Sequence, residues 1–259
     1  MMTMNGQDPI IAALGRLSVA PPRSLADRLV TSWITVPGRA GELYVAFTEQ
    51  GVSYVRTADS VHGDDEEFLE SYRNRFGRPL RRAQRPPAGL ASALRGRPSR
   101  SLRLDLHGLS EFERAVLEAT RQIPAGQIRP YRWVASQIGR PAAVRAVGTA
   151  LGHNPVPILI PCHRVTRSNG ELGDYVFGSE LKERLLRVEQ VNLDEVSALA
   201  KRNVHYLGSD TTGIVCFPSC HHARRITSAH RRGFRNLDQA VVAGYRPCKD
   251  CRPALAAAV

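Results

Sequence analysis

The chain has 259 residues, 42% of them hydrophobic, with a formal net charge of +12 and a pI near 10.2. That length suits roughly two or three domains with a real core. No stretch reaches the roughly 18 consecutive apolar residues of a membrane span, and the apolar patch Ile10–Leu14 is too short for a signal peptide and follows no basic run. A cytoplasmic protein with no membrane partner is expected. The positive excess favours a polyanion as partner, since clustered Arg and Lys release counterions on meeting phosphates; alone it does not choose among DNA, RNA and an anionic membrane.

The first segment, residues 1–104, opens with a short helical piece and the stretch Ala20-Pro21-Pro22. Period-two patterning then predicts strands over Trp33–Val36, Glu42–Phe47 and Val52–Val55, the last entered through a turn at Glu49-Gln50-Gly51. The Pro- and Arg-rich run Arg81–Arg103 reads as linker or irregular surface.

Residues 105–190 carry stronger signals. Ser110 and Glu113 form an S-x-x-E capping box, followed by Phe112, Val116, Leu117 and Ile123 on one apolar side, with Pro124-Ala125-Gly126 as terminator. A second helix is predicted over Arg132–Ile138, and a third with Pro141 in its first turn running to about Leu151. Two short helices around a glycine turn make a helix-turn-helix pattern. Ala142, Ala143, Ala146, Gly148 and Thr149 leave little bulk around Arg145, which suits either a tight core contact or entry into a groove. The apolar run Ile158–Ile160 is expected to be a strand that delivers Cys162 beside His163. A thiolate is the nucleophilic form of cysteine, and a histidine oriented by a carboxylate can take its proton. Glu189, on an amphipathic helix predicted over Glu180–Glu189, is the candidate carboxylate. A small buried thiol with no chemistry is the competing reading of Cys162.

Residues 191–200 read as a connector, and the third segment, residues 201–255, holds ten Lys and Arg against three Asp. Its four cysteines fall as Cys216-x3-Cys220 and Cys248-x2-Cys251. Two close pairs at these spacings predict one tetrahedral Zn2+ site, and an odd total of five cysteines argues against a disulfide framework. No organic cofactor is expected.

From about Leu104 to Glu189 the chain resembles the O6-alkylguanine-DNA alkyltransferases. The likeness runs through Ile123-Pro124-Ala125-Gly126, Tyr131, Arg145-Ala146-Val147-Gly148, Asn154-Pro155, Ile160-Pro161-Cys162-His163-Arg164-Val165, Gly173-x-Tyr175 and Lys182…Leu185-Leu186…Glu189. It implies three parts: an α/β ribonuclease-H-like N-terminal domain, a mainly α helix-turn-helix alkyltransferase domain and a small α+β zinc domain. It also implies a monomeric methylated-DNA-[protein]-cysteine S-methyltransferase acting on double-stranded DNA that contains O6-alkylguanine. In that reading Cys162 takes the alkyl group once and irreversibly, kept ionised by His163, a water and Glu189. Arg145, on a helix carrying Ala146, Gly148 and Thr149, fills the stack while Tyr131 helps turn the nucleotide out, because the alkyl carbon is unreachable in a stacked pair. Asn154 ties the helix-turn-helix to the active-site strand, Tyr175 and Tyr131 donate to the purine, and Val176-Phe177 make the pocket wall bulkier. Asp210–Pro253 resembles the metal-binding domain of the Ada family, in which the first zinc cysteine, here Cys216, is a second methyl acceptor. Phe217 stands where that family has arginine, and no AraC-type segment lies between the two parts, so acceptor and purely structural readings of Cys216 both stand. A methylation-responsive regulator and a non-catalytic lesion sensor are the alternatives for the whole.

Overall fold

The computed structural model describes residues 30–97 and 99–253; the expected N-terminal helix, the Ala20-Pro21-Pro22 stretch and the last two residues of the 201–255 segment lie outside them. The strand signals in the N-terminal part are met by β1 (Thr31–Gly38), β2 (Gly41–Thr48) and β3 (Gly51–Thr57), an antiparallel meander. Alternation splits its side chains between two faces. Trp33, Tyr44 and Tyr54 meet Phe68 and Tyr72 of α1 (Asp65–Phe76), whereas Val36, Leu43, Val45 and Val55 join the main core. Gly51 is required where it stands, because φ is +145° and a Cβ there would lie 2.4 Å from the Arg103 carbonyl oxygen.

The Arg81–Arg103 run is not simply linker. It supplies most of β4 (Leu80–Arg82), parallel to β1 on the far edge of a sheet ordered β3-β2-β1-β4, and α2 (Leu90–Leu94). Leu90 and Leu94, one turn apart, are fully buried. Their two-residue apolar signal is hidden among prolines and arginines.

Three helices follow: α3 (Glu111–Arg121), with both halves of the Ser110–Glu113 capping box formed, α4 (Tyr131–Gln137) and α5 (Val144–Gly152). Pro141 lies outside α5. It occupies the second position of a turn closed by Ala143 N–H donating to the Arg140 carbonyl, a place that suits its fixed φ as well as a helix start does. The expected strand at Ile158–Ile160 is instead a turn, with Ile158 at φ +75° and Ile160 N–H bonded to Val156 O. Pro155, Pro157 and Pro161 carry no N–H, so the segment cannot join a ladder. β5 (Arg129–Pro130) pairs with β6 (Val165–Thr166), and α6 (Ser179–Val188) ends with Glu189 as its C-cap residue.

The predicted connector at 191–200 is mostly helical: α7 (Leu193–Lys201) starts at Asn192, whose side chain accepts from Glu195 N–H. The C-terminal part is a sheet ordered β10-β8-β7-β9, formed by β7 (Tyr206–Ser209), β8 (Ile214–Cys216), β9 (Arg231–Phe234) and β10 (Arg246–Pro247), with α8 (Leu237–Val242) before the last strand. The whole is a mixed helix-and-sheet structure. Among the described residues no helix is long and apolar enough to cross a membrane.

Candidate active site and metal centre

Cys162 begins a single turn of 3-10 helix, Cys162–Arg164, between the proline-rich turn and β6. Asn154, buried just after α5, holds that turn through three hydrogen bonds: Oδ1 accepts from Val156 N–H, and Nδ2 donates to Ile160 O at 3.1 Å and to Cys162 Sγ at 3.2 Å. The sulfur is thus oriented by the amide that follows the helix-turn-helix. Cys162 is 5% exposed, and burial pushes its thiol up, opposed by the Asn154 hydrogen bond and the Lys182 charge.

His163 is 1% exposed and its Nε2 lies 3.2 Å from Glu189 Oε1. Burial pulls the imidazole down, with Glu189 opposing. Burial raises Glu189 as well, but hydrogen bonds from His163 and Arg164 dominate and hold it at about 2. Arg164 grips both carboxylate oxygens, Nε to Oε2 at 2.8 Å and Nη2 to Oε1 at 2.7 Å, and Arg39 approaches Oε1 at 3.6 Å. An ionised Glu189 only accepts, so Nε2 carries the imidazole proton and Nδ1 is the free base. Among the described residues Nδ1 has no hydrogen-bond partner. The resting arrangement is therefore thiol, neutral imidazole and carboxylate, rather than the ionised sulfur expected from sequence. Burial of the sulfur is the reason.

A cavity of about 450 Å³ opens over Cys162, lined by Tyr131, Arg145, Gly148, Asp174, Tyr175 and Val176 among others. The Tyr175 hydroxyl is buried and unpartnered among the described residues, whereas the Tyr131 hydroxyl donates to Asp174 O at 3.5 Å. Burial raises both phenols, Tyr175 well above its ordinary value, so each is a donor at neutral pH. Phe177 does not line the cavity; it packs edge-on behind Tyr175, and Val176 forms that wall. On α5, Arg145, Ala146 and Thr149 are exposed and Gly148 is half-buried at the cavity mouth, while Val147, Ala150 and Leu151 face the core. This face is nearly bare of bulk except for Arg145.

Arg164, Arg39 and Lys182 escaped the sequence reading of the site. Lys182 is fully buried, donates to Val165 O at 2.6 Å and is pushed down to about 8 by burial. A lysine on the leucine face of α6 was the available signal. Arg164 stood in the run around Cys162 with no role assigned to it, and Arg39 had no signal beyond its positive charge.

The sulfurs of Cys216, Cys220, Cys248 and Cys251 lie within 4.8 Å of one another, and all four residues are buried. Tetrahedral metal–sulfur bonds of about 2.3 Å place sulfurs roughly 3.8 Å apart, so the set needs only slight contraction to hold one thiophilic ion. Hydrogen bonds with Cys216 and Cys251 lower Cys220, and those with Cys220 and Cys251 raise Cys216. His221, His222 and Asp250 form a separate exposed group beside it and stay out of the sulfur cluster.

A helix-turn-helix thus sets the small-residue face of α5 over a buried cysteine. The comparisons sharpen this. Residues 111–191 match the family described as 6-O-methylguanine DNA methyltransferase, DNA binding domain, and residues 197–254 match the metal binding domain of Ada. The methylated-DNA–protein-cysteine methyltransferase of Mycolicibacterium paratuberculosis is 49% identical over 89 residues, 34% of this chain and 53% of the relative. That of Salmonella typhimurium is 51% identical over 82 residues, 32% and 48% respectively. The chain thus spans about half the length of the curated relatives it matches. Two solved structures align more widely. Mycobacterium tuberculosis OGT in complex with DNA is 29% identical with a TM-score of 0.51, covering 64% of this chain and 98% of that one. A single-substitution variant of the M. tuberculosis O6-methylguanine methyltransferase is 30% identical with a TM-score of 0.51, covering 62% and 93%. The chain belongs to the methylated-DNA–protein-cysteine methyltransferase family and carries an Ada-type metal-binding domain at its C-terminal side.

Proposed function

We propose that this protein repairs DNA by moving the alkyl group of O6-alkylguanine onto Cys162. The observation that carries the reading is a buried thiol, held by Asn154, at the floor of a cavity whose rim is the exposed Arg145 face of α5. Duplex DNA is the partner: α5 enters a groove, Arg145 takes the place of the extruded nucleotide, and Tyr131 crowds the adjoining phosphate. Cys162 attacks the alkyl carbon, the S–C bond forms, and the C–O6 bond breaks with its electrons left on the purine. His163 Nδ1 takes the thiol proton, through a water, as the sulfur gains negative charge; Glu189, held in place by Arg164, steadies the imidazolium. The Tyr175 and Tyr131 hydroxyls donate toward the purine, and the proton shed by Cys162 is the one the guanine finally needs. The thioether is stable, so each chain acts once.

The three-part division at 1–104, 105–190 and 201–255, with the first part ribonuclease-H-like, is part of the same reading. So is a single Zn2+ on Cys216, Cys220, Cys248 and Cys251, which would fix the C-terminal fold through four thiolates and leave no open coordination position. Cys216 is 1% exposed, which favours the structural role over methyl acceptance from phosphotriesters. Intact-mass analysis after incubation with O6-methylguanine duplex tests the main reading. One methyl on the Cys162 peptide, at one equivalent per chain and absent in Cys162→Ala, is expected; turnover or a methyl elsewhere overturns it.

A further inference from the structure

Arg129 is out of place by ordinary rules. It lies on β5 in the central part, is 2% exposed, and pairs with no carboxylate among the described residues. Buried charges normally have an opposite charge beside them. Its guanidinium donates only to neutral groups, Nη1 to Ile128 O at 2.7 Å and Nη2 to Gln127 Oε1 at 2.6 Å, and Nε has no partner among the described residues. Its planar group lies 5.2 Å from the Phe217 ring centroid and 5.7 Å from that of Trp133. Phe217 directly follows Cys216 and Trp133 bonds the Cys251 carbonyl, so both rings that flank the guanidinium are fixed to the four-cysteine cluster.

The surrounding bonds cross the same seam. Ser219, between the first two cysteines, accepts from Ile128 N–H at 2.9 Å and donates to Ile128 O at 3.1 Å. Trp133 Nε1 donates to the carbonyls of Cys251 and Arg252, both at 3.0 Å. Arg224 donates to Gly126 O, and Gly126 N–H donates to Glu189 Oε2 at 3.3 Å. Gly126 can make both bonds because its φ is +75° and a Cβ there would lie 2.8 Å from Glu189 O. On the other side, Arg129 is register partner to Val165, which ends the turn begun by Cys162.

We propose that Arg129 is the buried counter-charge of the four-thiolate centre, and that the loaded centre pins residues 126–130 and thereby holds Cys162, His163 and Glu189 in register. The inference rests on the zinc assignment above. Four thiolates and one Zn2+ carry a net charge of about −2, and a cation against that cluster needs no carboxylate. Arg129 is a positioning residue: it touches neither substrate nor the reacting sulfur. Without metal, the sulfurs regain protons, Arg129 loses its partner, and the strand under the active site loses its anchor.

The test uses the full chain loaded with zinc. Arg129→Met keeps bulk and removes charge; Arg129→Lys keeps charge and removes the planar stack. Zinc release to a colorimetric chelator is expected to be about 10- to 100-fold faster in Arg129→Met, with Arg129→Lys in between. Amide hydrogen exchange at 126–130 and 162–166 is expected to rise on stripping zinc from the unaltered protein, while β1–β3 stays protected. Equal release from all three proteins, or unchanged exchange at 162–166 after stripping, overturns the proposal; if Arg129→Met does not fold, Arg129→Lys and the stripping arm decide. Neither readout requires Cys162 to accept an alkyl group, so a failure of methyl transfer is seen separately by mass.

Discussion

Two cysteine centres lie on either side of one short strand pair, and they are built on opposite plans. Around Cys162 a single thiol is surrounded by proton-handling groups, Asn154, His163 and Glu189, with the charge of the carboxylate absorbed by Arg164. Around Cys216, Cys220, Cys248 and Cys251 four sulfurs have one another, and the buried Arg129 lies behind Phe217, the residue after Cys216. The first keeps its sulfur protonated until something arrives to react. The second would surrender its protons to a metal and keep the sulfurs permanently committed. Reactivity in a thiol depends on what is held back nearby, more than on burial, since all five cysteines are buried.

The two centres should differ most when one sulfur is removed from each. Structural zinc contributes an apparent ~10–16 kcal/mol in small domains, so Cys220→Ala should lose zinc and protection across β7–β10. Cys162→Ala should keep its zinc, lose all methyl uptake and shift stability by less than about 2 kcal/mol. Elemental analysis beside intact mass reads both; zinc loss in Cys162→Ala would erase the distinction.

A smaller effect is expected at Glu189. Glu189→Gln leaves Arg164 facing a neutral amide, a loss of roughly 3–5 kcal/mol by analogy with broken buried pairs, measurable by denaturant unfolding. The folded carboxyl is held at about 2 against about 4.3 in an unfolded chain. Its contribution is therefore complete above pH ~4.3 and lost as the pH falls through about 2. His163, lowered by burial, adds loss below about pH 6.5, where the unfolded imidazole binds a proton first. The unaltered protein should lose stability below about pH 6.5 and again from about pH 4.3 toward 2, and Glu189→Gln should flatten the second step. An unchanged slope between about pH 2 and 4 would remove Glu189 from the charge balance.

Asn154→Ala should cost about 1–3 kcal/mol, since the Val156 and Ile160 backbone groups lose their buried partner, and should move the pH midpoint of Cys162 alkylation upward. A midpoint that does not move would reduce Asn154 to a turn-former. The least effect on folding is expected for Arg145→Ala, within about 0.5 kcal/mol for an exposed side chain. Transfer from duplex should nevertheless slow far more than transfer from the free base, because only the duplex must be unstacked. Equal slowing on both would place Arg145 in the chemistry.

Much of this was legible in the sequence where one residue pattern has one physical use. The S-x-x-E box, the Cys162-His163 neighbours and the two cysteine pairs are of that kind. The turn at Ile158 was missed because hydrophobicity outvoted three prolines, although it is the prolines that forbid a ladder. Leu193–Lys201 was missed because its apolar side is never deeply buried and only the Asn192 cap marks it. Arg129, Ser219 and Trp133 could not be read at all: a buried arginine and a bridging serine look like surface residues until the partner across the seam is known.

Ser219 has one more consequence. At Ile128 its hydroxyl takes the place of a neighbouring strand, satisfying both the amide and the carbonyl of that residue. A chain cut back to about residue 191 would keep Cys162 and its cavity but uncover that backbone edge together with the apolar side of Trp133. Unpaired edges beside exposed aromatic surface invite sister molecules to add on. The truncated protein would be spoiled first by its solubility: it would come out of solution, concentration by concentration, before its chemistry could be judged.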